Sequence, residues 1–127
     1  MSIRQDRVKT ANAMLRIISK HGRRFFLCEG EVSRFALAKN ERVWFIDNYP
    51  QQAIYTHYNG RWRGFSHGGT LKTLCVELRE YIMGRRDLPL DHLGPWPADY
   101  CGGDLWGYGD DMKLVRRECA ELVKEKT

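Results

Sequence analysis

Asn59-Gly60 sits between two runs of strand character, residues 53–58 and 61–65, and nothing else in the chain restricts its fold so sharply. A two-residue type I′ turn needs positive φ at both central positions, which Asn and Gly adopt at least cost. The pattern predicts a β-hairpin. In that register Tyr58 faces Arg61, His57 faces Trp62 and Thr56 faces Arg63. Alternation then puts Ile54, Thr56, Tyr58, Arg61, Arg63 and Phe65 on one face, and Tyr55, His57 and Trp62 on the other.

Upstream, residues 25–28, 32–38 and 43–47 have the same short-strand character, with turns at Glu29-Gly30 and Lys39-Asn40-Glu41. The period changes outside this block. Val8, Ala11, Leu15 and Ile18 recur at helical spacing over residues 6–20, with Asp6 placed to cap the start and Gly22 to end it. Leu71, Leu74, Cys75, Leu78 and Ile82 mark a second helix between Thr70 and Gly84. Met112, Val115, Cys119 and Leu122 mark a third, begun by Asp110 or Asp111. Consecutive strands with short turns imply an antiparallel meander whose apolar face the helices must cover. The expected class is α+β: four to five antiparallel strands, an N-terminal helix, a helix after the last strand and a C-terminal helix. A length of 127 residues fits one domain over 1–127.

The stretch between the second and third helices is different. Residues 85–109 hold three of the four prolines, five of the twelve glycines and the rings of Trp96, Tyr100, Trp106 and Tyr108. So many large rings predict an ordered loop packed on the body, with a helical turn near Leu105. Charge is uneven as well. Residues 1–24 carry seven basic groups and one acid, whereas residues 87–111 carry six aspartates and no Lys or Arg. The first helix sets Lys9, Arg16 and Lys20 roughly opposite its apolar stripe, either as a solvated face or as a ridge for an anionic partner.

Five chemistries bear on these residues. For catalysis, His57, His67 and Asp104 are the candidates, but there is no nucleophile elbow and no paired carboxylate, so no catalytic residue is assigned. Gly68-Gly69-Thr70 opens a helix without the lysine order of a P-loop. The cysteines Cys28, Cys75, Cys101 and Cys119 contain no close pair, so neither a metal nor another cofactor is expected. For nucleic acid, Tyr58, Arg61, Arg63, Arg85 and Arg86 form a basic, aromatic set with the first helix. For a protein partner, Trp96, Tyr100, Asp104, Trp106 and Tyr108 offer ring anchors among aspartates that steer a basic surface. The same aspartates are equally suited to fold back and neutralise the basic helices. No apolar run approaches a membrane span and the first residues lack a secretory core, so a cytoplasmic location and no membrane partner are expected.

The strand–helix order resembles the double-stranded RNA-binding domain in topology. It departs at Ser66-His67-Gly68-Gly69-Thr70-Leu71-Lys72, where that family carries a lysine-rich turn. Two longer stretches resemble small uncharacterised proteins of bacteriophages, prophages and other mobile elements: Asn59-Gly60-Arg61-Trp62-Arg63-Gly64-Phe65-Ser66-His67-Gly68-Gly69-Thr70-Leu71, and Gly94-Pro95-Trp96-Pro97 followed by Cys101-Gly102-Gly103-Asp104-Leu105-Trp106-Gly107-Tyr108-Gly109. That likeness runs from about residue 20 onward. It implies a bacterial cytoplasm and a small binding protein that inhibits or modulates a host protein or ribonucleoprotein, as anti-CRISPR and other counter-defence proteins do. Direct nucleic-acid binding is the alternative, and a small hydrolase or nuclease the third reading.

Overall fold

The structure, a computed structural model, describes residues 3–47, 52–57, 62, 65, 69–99 and 101–124. Among these residues three α-helices, α1 (Ile3–Lys20), α2 (Gly69–Ile82) and α3 (Asp111–Lys124), accompany five short strands. The strands are β1 (Leu27–Cys28), β2 (Glu31–Val32), β3 (Arg34–Leu37), β4 (Val43–Asp47) and β5 (Gln52–Tyr55). All pairings are antiparallel, and the class is α+β.

The strands divide into two sheets, β1-β2 and β3-β4-β5, instead of one continuous meander. The division falls at Ser33, inside the run expected as one strand. Ser33 is buried, and its hydroxyl donates to the carboxylate of fully buried Asp47 at 3.2 Å. Its N–H still donates to the Phe26 carbonyl at 3.0 Å, on the side of the smaller sheet, so Ser33 is the joint between the two ladders. Helix boundaries also shift. α1 begins at Ile3, so Asp6 lies within its first turn, where its carbonyl accepts the Thr10 hydroxyl at 3.2 Å.

Phe35, Phe45 and Ile54 are cross-strand neighbours on the buried face of the larger sheet. α1 lays Ala11, Met14, Leu15 and Ile18 into the same core; α2 lays Leu74, Cys75, Leu78 and Ile82 there. Burying a side chain of this size contributes about 1.5–3 kcal/mol. The edge strand β3 is tied to α1 by Asn12, whose amide donates to the Phe35 carbonyl at 2.9 Å and accepts the Phe35 N–H at 2.6 Å. That pair of hydrogen bonds occupies groups an open sheet edge would otherwise offer to another chain.

Trp62 corrects one expectation. It stands among Phe35, Phe45 and Phe65, with ring centroids 6.2, 6.0 and 5.6 Å away, on the Ile54 side and not with Tyr55 and His57. β5 ends at Tyr55, so strict alternation does not carry through to residue 62, and burial of the large indole decides its side. The Asn59-Gly60 turn itself lies outside the described residues.

Candidate functional site

The loop expected at residues 85–109 contains two 3-10 turns, Leu90–Leu93 and Cys101–Gly103, and two of its rings are buried. Trp106 and Tyr108 are 3% and 5% exposed. They pack on each other at 5.8 Å and on Phe25 at 6.1 and 5.3 Å. The Trp106 indole donates to the His92 carbonyl at 2.9 Å, bonding the loop to itself. The Tyr108 hydroxyl donates to the Ile18 carbonyl at 2.8 Å, satisfying one of the carbonyls that the end of α1 leaves open. Burial raises the pKa of that hydroxyl far above its ordinary value, against the bond it accepts from the Phe25 N–H. The carboxylate of Asp104 accepts the N–H groups of Tyr108 and Gly109 at 2.9 and 3.0 Å. Trp96 is half-buried beside Gly94, and Tyr100 lies outside the described residues. Of the ring anchors expected for a partner, the described ones are thus two interior side chains and one at the surface.

Fold-back of the loop aspartates onto the basic helices is limited. Among the described residues, Asp91 is the one loop aspartate in an ion pair, with Arg86 at 2.8 Å. Asp111 accepts the Gly22 N–H at 2.8 Å instead of meeting a basic side chain.

The set expected for nucleic acid is not assembled by the described residues. Tyr58, Arg61 and Arg63 lie outside them. Arg86 is clamped between Glu77 and Asp91, and Arg85 meets Glu80 at 2.9 Å. Carboxylates on α2 and the loop neutralise both arginines locally, which spacing along the sequence could not reveal. Nor is His57 placed as a catalytic base. Its Nε2 accepts the Val43 N–H at 3.0 Å. Burial, reinforced by Arg79, Arg42, Arg4 and Arg85, lowers its pKa. His67 is outside the described residues. Among the described residues no three His, Cys, Asp or Glu side chains gather where they would hold a metal. Burial pushes the Cys75 thiol well up and the Cys119 thiol up to about 12.

Basic charge collects elsewhere. Arg16, Lys20 and His21 from the end of α1, with Arg24 from the following turn, line a groove of about 590 Å³ floored by Leu27 and Val32. Arg16 and Val32 also border an adjoining hollow of about 300 Å³ that adds Asn12, Ser33, Arg34 and one acid, Glu31. Among the described residues Arg16, Arg24 and Arg34 are exposed and have no carboxylate partner. Lys20 lies 3.3 Å from Glu118, which also meets His21 Nε2 at 2.7 Å. Burial opposes ionisation of Glu118, but these two contacts hold its carboxyl below the usual range. Arg24 has φ of +53°, an uncommon conformation for a side chain of its size, and its N–H bonds back to the His21 carbonyl at 2.9 Å. The ridge at Arg16 and Lys20 was visible in the helical spacing. Arg24 and Arg34 join it only because the turn after α1 folds β1-β2 against the helix.

A family model described as YoqU matches residues 2–123. No curated protein and no solved structure matches. Among the described residues no helix is long and apolar enough to cross a membrane.

Proposed function

The chain belongs to the YoqU family, and from that starting point we propose that it is a non-enzymatic binding protein that holds nucleic acid by its phosphate backbone in the groove beside α1. One observation carries this reading: Arg16, Arg24 and Arg34, exposed and without carboxylate partners among the described residues, line two adjoining hollows that share Arg16 and Val32. Guanidinium groups match phosphate geometry, and hollows in which basic groups outnumber the one lining acid, Glu31, concentrate a polyanion. The floor of Leu27 and Val32 offers no ring for stacking and few groups for base edges. The binding is therefore indifferent to sequence and dominated by charge. The likeness to small proteins of phages and mobile elements adds a setting, a host ribonucleoprotein whose RNA the groove occupies and whose activity is thereby modulated.

Fluorescence anisotropy with labelled single-stranded and duplex oligonucleotides tests the proposal. Binding at low salt that is lost in Arg16→Glu/Arg24→Glu supports it. No binding at low salt, or binding that the double variant leaves intact, overturns it.

A docked protein is the second reading, through the loop surface around Trp96. It is favoured by the placement of that half-buried ring beside Gly94, in a hollow it shares with Asp104, Lys113 and Arg116. Its partner would offer an apolar group to the ring and charge of both signs around it. Trp96→Ala abolishes this interaction while leaving oligonucleotide binding unchanged.

A further inference from the structure

Arg79 is a buried cation with almost nothing to balance it. It sits on α2, 9% exposed, and its Nε has no hydrogen-bond partner. Among the described residues the carboxylate within 4 Å is that of Glu80, with Nη2 to Oε1 at 3.8 Å, too long for a hydrogen bond. The other oxygen of Glu80 is held by Arg85 at 2.9 Å. A guanidinium stays protonated in proteins, so burying it without partners costs free energy that no contact here returns.

Three further arginines lie at the same end of the fold, where the start of α1 meets the end of α2 through Arg7 and the Tyr81 carbonyl. The β3–β4 turn brings Arg42 next to Val43, whose N–H bonds to His57. Arg4, from the start of α1, donates to the Glu41 carbonyl at 2.8 Å and lies 3.8 Å from its carboxylate. Arg85 follows the end of α2. Burial first, and then the positive fields of Arg79, Arg42, Arg4 and Arg85, oppose protonation of His57. Because Nε2 is an acceptor, the neutral ring carries its proton on Nδ1 and keeps a donor there.

The charges do not cancel. Among the described residues the carboxylates in contact with these four guanidiniums are Glu41 and Glu80, which leaves two positive charges over. The carboxyl end of α2 supplies about half a negative charge, and it is already used by Arg7, whose Nη1 donates to the Tyr81 carbonyl at 2.8 Å.

We propose that this end of the fold, bounded by Arg4, Arg42, His57 and Arg79, binds a dianionic phosphate, with the Arg79 guanidinium as buried anchor. A dianion matches the two uncompensated charges, and its oxygens accept from groups that can only donate. The site lies at the opposite end of α1 from the Arg16 groove and does not depend on it. Arg4 and Arg16 are separated by about 18 Å of helix.

The His57 ring reports on the site, so the intact protein is titrated with inorganic phosphate and, separately, with a nucleoside 5′-monophosphate while its NMR signals are followed. The expected result is a saturable shift of the His57 signals and a rise of its pKa as phosphate replaces an uncompensated positive field. Arg42→Gln, at an exposed turn position, weakens binding about tenfold. Arg79→Met abolishes it and leaves the phosphate-free protein as stable or more stable, because an unpaired buried charge is removed. A purely structural Arg79 would instead make that variant less stable with or without phosphate. Tighter binding of the nucleotide than of free phosphate assigns the ligand as a phosphate monoester; the reverse assigns inorganic phosphate. A response that chloride reproduces at equal ionic strength, or one that neither variant weakens, overturns the proposal.

Discussion

The ring of Tyr108 stands where a side chain on Gly22 would be. A Cβ built on Gly22 lies 2.3 Å from the ring carbon Cγ, and Gly22 has φ of +56°. The glycine that ends α1 is therefore also the floor on which the C-terminal loop docks. Gly22→Ala should destabilise the fold by about 2–4 kcal/mol, from overpacking together with an unfavourable φ. Urea unfolding measures it. Introduced beside Tyr108→Ala, the same change should cost markedly less, since only the backbone penalty remains. Equal costs in both backgrounds would show that the ring contact is not the cause.

Trp106 and Trp96 separate packing from surface. Trp106→Ala removes a ring that is 3% exposed and should destabilise by about 3–5 kcal/mol. Trp96→Ala removes a half-buried ring and should cost about 1 kcal/mol. Thermal unfolding of the two variants checks the order. Had the loop been a detachable recognition arm, both changes would leave the melting temperature of the body unchanged.

The sequence carried the helices well because each keeps an apolar stripe at a fixed period, and Leu71 through Ile82 or Met112 through Cys119 are buried as that stripe requires. So many large rings between α2 and α3 demanded burial, and Trp106 and Tyr108 are buried. What spacing could not show was which rings stay outside. Trp96 and Trp106 are equivalent in composition, and their fates differ because Trp106 has Phe25 and the end of α1 to pack on. Arg86 looked available beside Arg85 until Glu77 and Asp91, nine and five residues away, were brought to it by the turn after α2. The groove at Arg16 was half legible, because α1 is periodic and the turn that delivers Arg24 is not.

Stability should fall in mild acid through His57. Its folded pKa is lowered below the ordinary value of about 6.5. The unfolded chain thus takes up a proton that the folded chain resists. The contribution is complete above the unfolded value and is lost as pH falls through the depressed folded one. His57→Gln keeps an acceptor for the Val43 N–H but cannot titrate, so its stability should be flatter across that window. Glu118 acts lower on the pH scale. Its folded pKa is also lowered, so its share is present above the ordinary carboxylate range and lost below it. Urea midpoints at a series of pH values for the wild type and His57→Gln distinguish the two.

Thiol reactivity should divide the cysteines by burial. Cys75 and Cys119 are fully buried, and burial holds both thiols in the protonated, unreactive form. Cys28 is half-exposed. With a disulfide reagent at neutral pH, Cys28 should be labelled in the folded protein, and Cys75 and Cys119 only at the rate of unfolding. Peptide mapping after timed quenching reads this. Labelling of Cys119 as fast as Cys28 would mean that α3 detaches from α1 in the native state.

The charge on the groove makes a quantitative demand on nucleic-acid binding. Each phosphate neutralised releases counterions, so the logarithm of affinity falls linearly with the logarithm of salt, with a slope of about −0.7 per contact on single strands. Arg16→Gln and Arg24→Gln should each make the slope shallower by about that amount. Lys113→Gln, on the exposed side of α3 away from the groove, should leave it unchanged. Glu118 pulls the other way, since its carboxylate holds Lys20 at 3.3 Å and competes with any phosphate for it. Glu118→Gln should therefore steepen the slope even though the His21 contact is weakened and the fold loses some stability. Anisotropy titrations at four or so salt concentrations separate the outcomes. A slope that ignores Arg16 and Arg24 but responds to Lys113 would move the interface from α1 to α3.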